Sequence, residues 1–379
     1  MYDVIILGAG ASGLMCAANI SKKLKVAIIE HNTQAAKKLK ISGGGKCNIT
    51  NVSVGVENYL GNEELLKSTF KKFSQKRFLD FLERNRVELE VRKGRYYFCK
   101  ESSQVVIDLL LRNVKRADLI LGEEIVEVLK NDAVFEVISE KKRYKARNVV
   151  VASGGESFKN IGASDIGLKI AQKFGIEYKK FEPALVGLTL QKEQFWMKEL
   201  SGLSCYVKIS VCDRTLNEEM LFAHKGISGP AVLSASLYWK KGEIAIDFLP
   251  DQAIKGFVKN GGKRLFSSVI PLPKRLSKSL LHAIGLKDKE CSKATKEDLL
   301  LLEKIHNYRF APAGNFGFSK AEVSRGGVLA DELNFQTLES KKEKGLYFIG
   351  EVVDITGELG GYNFQWAFSS AYVCAKSLK

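Results

Sequence analysis

The first thirty residues constrain this chain more than any other stretch. An apolar run, Asp3-Val4-Ile5-Ile6-Leu7, enters the turn Gly8-Ala9-Gly10-Ala11-Ser12-Gly13. A helix-compatible segment follows over 14–21, and then a second apolar run, Val26-Ala27-Ile28-Ile29, is closed by Glu30. Strand, Gly-x-Gly-x-x-Gly turn, helix, strand and acid in this order predict a parallel βαβ unit that takes a dinucleotide. Gly8 permits the tight turn, Gly10 admits a pyrophosphate to the backbone, and Gly13 lets helix and strand pack closely. Ala11 and Ser12 complete the cofactor-binding turn, the phosphates sit at the positive end of the helix that follows, and Glu30 accepts from a ribose hydroxyl.

A length of 379 residues implies more than one domain, and 45% hydrophobic residues imply folded cores. No apolar run reaches the length of a membrane span, and the fold begins at once without a basic flank or cleavage site, so a cytoplasmic protein is expected. Seven scattered cysteines without a Cys-x-x-Cys, and four histidines that do not cluster, predict neither a disulfide framework nor a metal site. The net charge of +16 comes from basic pairs such as Lys71-Lys72 and Lys240-Lys241, spread along the chain and interleaved with acids. Solvated faces explain such a pattern; attraction of an anionic cofactor or of nucleic acid is the functional alternative.

The order of patterns predicts an α/β protein with a Rossmann-like domain, an inserted β-rich unit and a helical stretch. Residues 1–183 and 329–379 read as one discontinuous dinucleotide-binding domain, because the apolar run Leu346-Tyr347-Phe348-Ile349 and the helical segment 363–376 resume α/β character. Short strand-like runs over 184–250 and 308–328 form the β-rich insert, and the lysine-rich helical pattern over 251–307 forms the third part. Residues 62–86 read as helical, with Phe70, Phe73, Phe78, Phe81 and Leu82 recurring on one face.

Three further segments extend the site. In Ser42-Gly43-Gly44-Gly45-Lys46-Cys47-Asn48, consecutive glycines allow backbone amides to face a flat ring or a phosphate, and the polar run that follows is rich in hydrogen-bonding groups. Ser153-Gly154-Gly155 ends a buried strand with small residues, where ligands lie in parallel sheets. Gly350-Glu351 ends another strand, and Gly361-Tyr362-Asn363 opens a helix aimed at the ligand. Cys47 lacks a second cysteine five residues on, so it reads as a small buried residue beside the cofactor and not as half of a redox dithiol. His224, in a Gly/Ser-rich loop, is the one candidate proton donor, weighed against a structural role.

Together these segments resemble a bacterial flavoprotein family, the YhiN-like or BaiN-like oxidoreductases, also labelled aminoacetone oxidase-like. The resemblance rests on the runs Lys38 to Asn51, Phe222 to Leu233, Glu322 to Val328 and Gly350 to Ala367. It implies a Rossmann-like FAD-binding domain with Lys38 joining the residues around the cofactor, an insertion made of a β-barrel-like unit plus a small helical unit, and a substrate site where the insertion meets the flavin. The expected activity is hydride transfer between flavin and a small organic substrate, with NAD(P)H as a transient co-substrate or dioxygen as the second partner. Only one dinucleotide fingerprint is present, so a dedicated NAD(P) domain is not expected. The runner-up is a flavoprotein acting on RNA, in tRNA modification, motivated by the charge but without an aromatic-interleaved RNA pattern. A non-catalytic flavin-binding regulator is the third reading.

Overall fold

A computed structural model describes residues 1–378, with Asn160 described by its backbone. The chain divides into two compact units: Met1–Pro183 continued from Glu322 onward, and Ala184–Ala321.

In the first unit the strand Tyr2–Leu7 lies between Val26–Glu30 and Arg143–Val151, parallel to both. Asp118–Leu121 adds a parallel strand outside Val26–Glu30, and Leu346–Phe348 pairs in parallel with Val149–Val151. The C-terminal strand therefore returns to the N-terminal sheet. The amino-terminal half of Arg143–Val151 pairs antiparallel with Val134–Ser139, which forms a hairpin with Ile125–Asn131. The central strands are runs of Val and Ile that are buried throughout, including Val4, Ile5, Ile6, Ile28, Val149 and Val150. Such continuous apolar strands suit a parallel sheet covered on both faces. The first helix, Ala11–Asn19, packs against the last, Tyr362–Ser377.

The register sets the site. Gly8 N donates to Ile29 O at 2.8 Å, Ala152 N to Leu7 O at 2.9 Å, and Ile349 N to Val151 O at 3.0 Å. The carboxyl ends of three neighbouring strands thus release their loops side by side, at Gly8, Ala152 and Ile349.

Two expectations change. The helical stretch 62–86 is two helices, Glu63–Lys72 and Gln75–Arg84. Asn62 and Ser74 cap them, accepting from Leu65 N and Arg77 N. The apolar period runs on across the break because Phe73 and Phe78 are both buried. Residues 322–328, read with the insertion, lie in the first unit. The strand Val323–Val328 pairs with Tyr178–Ala184, Arg325 holds Glu182 at 2.7 Å, and Val328 bridges to Val353.

The second unit is a seven-stranded antiparallel sheet with helices. Its strands run in the order Tyr308–Phe310, Ile244–Asp247, Ser204–Val211, Arg214–Ala223, Gly226–Ser228, Leu188–Thr189, Gly314–Asn315. The helix Pro230–Tyr238 packs on Ser204–Val211 and Arg214–Ala223. Ile254–Lys259, Lys274–Ala283 and Lys296–Leu302 share one apolar core with the sheet, from Val207 and Ile246 to Leu276, Leu280 and Leu302. Among the described residues no helix is long and apolar enough to cross a membrane.

Candidate functional site

The fingerprint turn separates glycines the protein itself needs from one it does not. A methyl group on Gly13 would lie 1.9 Å from Gly8 O, and one on Gly8 would lie 2.5 Å from Ala152 O. A methyl on Gly10 meets nothing within 4 Å, and Gly10 has an ordinary φ of −79°. Nothing in the chain itself therefore requires Gly10 to be small. It caps the helix Ala11–Asn19, which has no side-chain cap and no acid in its first turn. The first intrahelical donor is Leu14 N, to Gly10 O at 3.0 Å, so the N–H groups of Ala11, Ser12 and Gly13 lack an intrahelical acceptor. Open backbone, unanswered donors and the positive end of a helix make an anion site.

Glu30 ends the neighbouring strand, 7% exposed. Its Oε2 accepts from Ala9 N at 2.8 Å, and its Oε1 accepts from Asn32 N at 2.9 Å and from Asn32 Nδ2 at 2.8 Å. His31 Nδ1 stands 3.0 Å from Oε1. Burial works against the carboxylate, but His31 and the two backbone donors outweigh it and hold the Glu30 carboxyl below the usual range. The same contact pushes the His31 imidazole up, against its own desolvation. Glu30 is a fixed, charged acceptor beside the turn.

The second Gly-rich segment is a tight turn in which Gly43, Gly44 and Gly45 take φ of 56°, 66° and 85°. Gly43 packs on Phe98 and Asn48 N, whereas Gly44 and Gly45 leave open space. Ser42 Oγ donates to Leu39 O at 2.8 Å, fixing the turn from below. Lys46 reaches away from the glycines, to Lys100 O at 3.1 Å and Glu90 at 3.5 Å. Cys47 is fully buried, gives its N–H to Ser42 O, and has its thiol beside that of Cys99, which lies on the strand Tyr96–Cys99. Burial pushes the Cys47 thiol well up. The side chains of Lys46 and Cys47 brace the loop, and Cys99 is a partner that sequence spacing does not reveal. Asn48 Oδ1 is buried with no hydrogen-bond partner, beside Gly361.

At the strand ends, Gly154 takes φ of 74° with open space beside it, while Gly155 packs against Ser324 and Glu351. Ser153 Oγ is a second buried polar atom without a partner. Ser324 is a hub absent from the sequence-based set: its Oγ accepts from Glu156 N at 2.9 Å and Ser157 N at 3.0 Å, and its N–H donates to Glu351 Oε1 at 2.9 Å. Lys38 Nζ meets Glu351 Oε2 at 2.7 Å and lies over the Phe158 ring. Lys38, Ser324 and Glu351 tie three distant segments together, a link legible only as co-occurrence of the runs that carry the family resemblance.

The last helix anchors the third strand end. Gly350 N donates to Ser370 Oγ at 3.0 Å and Gly350 O accepts from Trp366 Nε1 at 3.0 Å. Gly350 itself lies against Ser12. Asn363 closes the preceding loop through both Gly357 N and Gly357 O. Tyr362 is buried against Tyr59, whose hydroxyl donates to Tyr362 O at 2.9 Å; burial and Glu358 push the Tyr362 hydroxyl up to about 12. Both side chains shape the helix start. His224 is exposed at the hairpin turn of the second unit, without a hydrogen bond among the described residues. Among the described residues no three His, Cys, Asp or Glu side chains converge on a metal position.

In the first unit Ser12 lies against Gly350, Gly155 against Glu351, Glu351 against Lys38, and Asn48 against Gly361, so several of the Gly-rich segments meet one another. The unneeded smallness of Gly10 and the orphaned Asn48 and Ser153 oxygens fit a dinucleotide with a polar ring system, as in FAD.

The family model described as HI0933-like protein Rossmann domain matches residues 2–377. A ribosomal RNA dihydrouridine synthase of Escherichia coli (strain K12) is 35% identical, covering 100% of this chain and 98% of its own. A 3-dehydro-bile acid delta(4,6)-reductase of Clostridium scindens is 28% identical, covering 100% and 99%. A solved 3-ketosteroid-delta4-(5alpha)-dehydrogenase from Rhodococcus jostii RHA1 superposes with a TM-score of 0.52 at 12% identity, covering 99% of this chain and 96% of that one. That structural likeness speaks for the fold alone.

Proposed function

The chain belongs to the HI0933-like Rossmann flavoprotein family, whose cofactor is FAD, and from that premise we propose a reductase of carbon–carbon double bonds conjugated to a carbonyl. Uracil in ribosomal RNA is the substrate, NAD(P)H the reductant, and the cytoplasm the place of action. In the net reaction NAD(P)H gives a hydride and solvent gives a proton to the two carbons of the uracil double bond, leaving NAD(P)+ and dihydrouracil. The two named relatives support this class jointly. Uracil carries a double bond beside a carbonyl, and so does a 3-dehydro-bile acid unsaturated at positions 4 and 6, so one hydride chemistry serves both.

Bound FAD supplies that two-electron chemistry. The residues of the chain hold and orient it: the N–H groups of Ala11, Ser12 and Gly13 take the pyrophosphate past the open side of Gly10, and Glu30 accepts from a ribose hydroxyl. Gly44, Gly45, Gly154 and the helix start at Gly361 provide backbone surface on which the ring system can lie. Lys38, Ser324 and Glu351 keep the strand ends in register beneath it.

RNA takes precedence over a small substrate for one reason, the 35% identity that runs the full length of both chains. The bile acid reductase keeps a small enone as the second reading. Holoenzyme with NADH or NADPH under anaerobic conditions, offered ribosomal RNA and a steroid dienone in parallel, separates them. Dihydrouridine in the RNA digest, detected by mass spectrometry, is the expected product. Reduction of the dienone with unchanged RNA would assign the enzyme to small enones.

A further inference from the structure

Basic and acidic residues are interleaved along most of this chain, and the longest stretch without an acid is also strongly basic. Residues 252–287 carry eight Lys and Arg and no Asp or Glu, where 43 acids in 379 residues would give about four. The stretch forms the helices Ile254–Lys259, Phe266–Val269 and Lys274–Ala283 of the second unit. One side is core: Ile254, Val258, Phe266, Leu276, Leu280 and Leu281 are buried. All eight basic side chains stand on the other side, exposed.

Local ion pairs leave most of this charge unneutralised. Lys67, Lys76, Lys100 and Lys169 each meet a carboxylate within 3.2 Å. In this stretch Lys255 pairs with Glu303 at 3.1 Å, and Lys259, Lys263, Lys274, Lys278 and Lys287 make no ion pair among the described residues. Lys255 and Lys259, and likewise Lys274 and Lys278, are four apart on one helix face. Like charges at that spacing destabilise a helix. An unneutralised, self-repelling basic layer on a well-packed core is what a polyanion relieves.

We propose that this layer, residues 252–287, is the surface on which the phosphate backbone of ribosomal RNA docks, recognised by charge and not by base sequence. The proposal rests on the RNA reading above and adds where the RNA is held. Phosphate contacts position a nucleic acid without reading it, so the layer sets affinity while the flavin site selects the base.

The test compares native holoenzyme with a variant carrying Lys259→Ala, Lys263→Ala, Lys274→Ala and Lys278→Ala. A control carries Lys67→Ala, Lys76→Ala, Lys100→Ala and Lys169→Ala, which removes the same charge. RNA binding is measured against salt concentration, alongside FAD content and flavin reduction by NAD(P)H. The first variant should bind ribosomal RNA more weakly, with a log–log salt slope shallower by roughly 3, while FAD content and flavin reduction stay native and the control stays close to native in all. RNA binding by the first variant equal to native, or lowered no more than in the control, overturns the docking surface and leaves the RNA reading standing. Native holoenzyme that neither binds nor reduces RNA overturns both, as does capture by phosphatidylserine vesicles with no RNA binding.

Discussion

Two glycines three residues apart show what a motif residue is for. Gly10→Val fills space that the chain leaves open, so the protein should fold, with a cost of at most about 1 kcal/mol from the poorer helix cap, and should purify without flavin. Gly13→Val drives its side chain into Gly8 O and should not yield folded protein. Flavin absorbance and circular dichroism read the two outcomes, and a yellow Gly10→Val protein would contradict the assigned pyrophosphate site. Glu30 and His31 add a pH dependence. The lowered Glu30 carboxyl contributes stability above its unfolded value near 4.5, lost as pH falls through the lower folded value. The raised His31 contributes stability below 6.5, lost as pH rises through its folded value. The melting temperature of the apoprotein should therefore fall between about pH 6 and pH 9 by more in the native chain than in His31→Ala. Equal declines would show that the pair does not couple to folding.

Elements hold these residues where single positions cannot. The final helix fixes the third strand end through Trp366 and Ser370, both bonded to Gly350. Trp366→Phe keeps most of the ring volume but leaves the buried Gly350 carbonyl unanswered, which should cost about 1–3 kcal/mol in denaturant unfolding and speed FAD release. A loss confined to stability, with unchanged FAD release, would separate that strand end from the cofactor. This link was not legible in sequence: Trp366 reads as a packing residue on a helix, which it is, and its indole N–H has no sequence signature. Ser324 and Cys99 escaped for the same reason, since each meets its partner across many residues. The strand–turn–helix–strand order was legible because local spacing alone carries it. The break between Lys72 and Gln75 was not, because apolar period continues through Phe73 while the cap lies in Ser74.

At the scale of the molecule, the parallel sheet closed by Leu346–Phe348 follows from composition that resumes after a long interval, and the resemblance over nearly the whole chain pointed to the same architecture. The placement of 322–328 did not follow, because a strand shows its own pattern and not its partner's. The lysine-rich stretch was legible in sequence, but which of its lysines meet a carboxylate was not, because Glu303 lies far along the chain from Lys255. Burial also predicts thiol chemistry: six of the seven cysteines are buried and Cys212 is exposed, so a thiol reagent should modify native protein quickly at Cys212 alone, and Cys212→Ser should abolish the fast phase. Rapid modification of Cys47 or Cys99 would mean that the Gly-rich loop carrying Cys47 opens in solution. The central claim, reduction of uracil in ribosomal RNA, is tested most directly by complementation. An Escherichia coli strain lacking its ribosomal RNA dihydrouridine synthase should regain dihydrouridine in its ribosomal RNA when this chain is expressed, and not when the Gly10→Val variant is. Soluble, flavin-loaded native protein with no dihydrouridine restored would contradict the account.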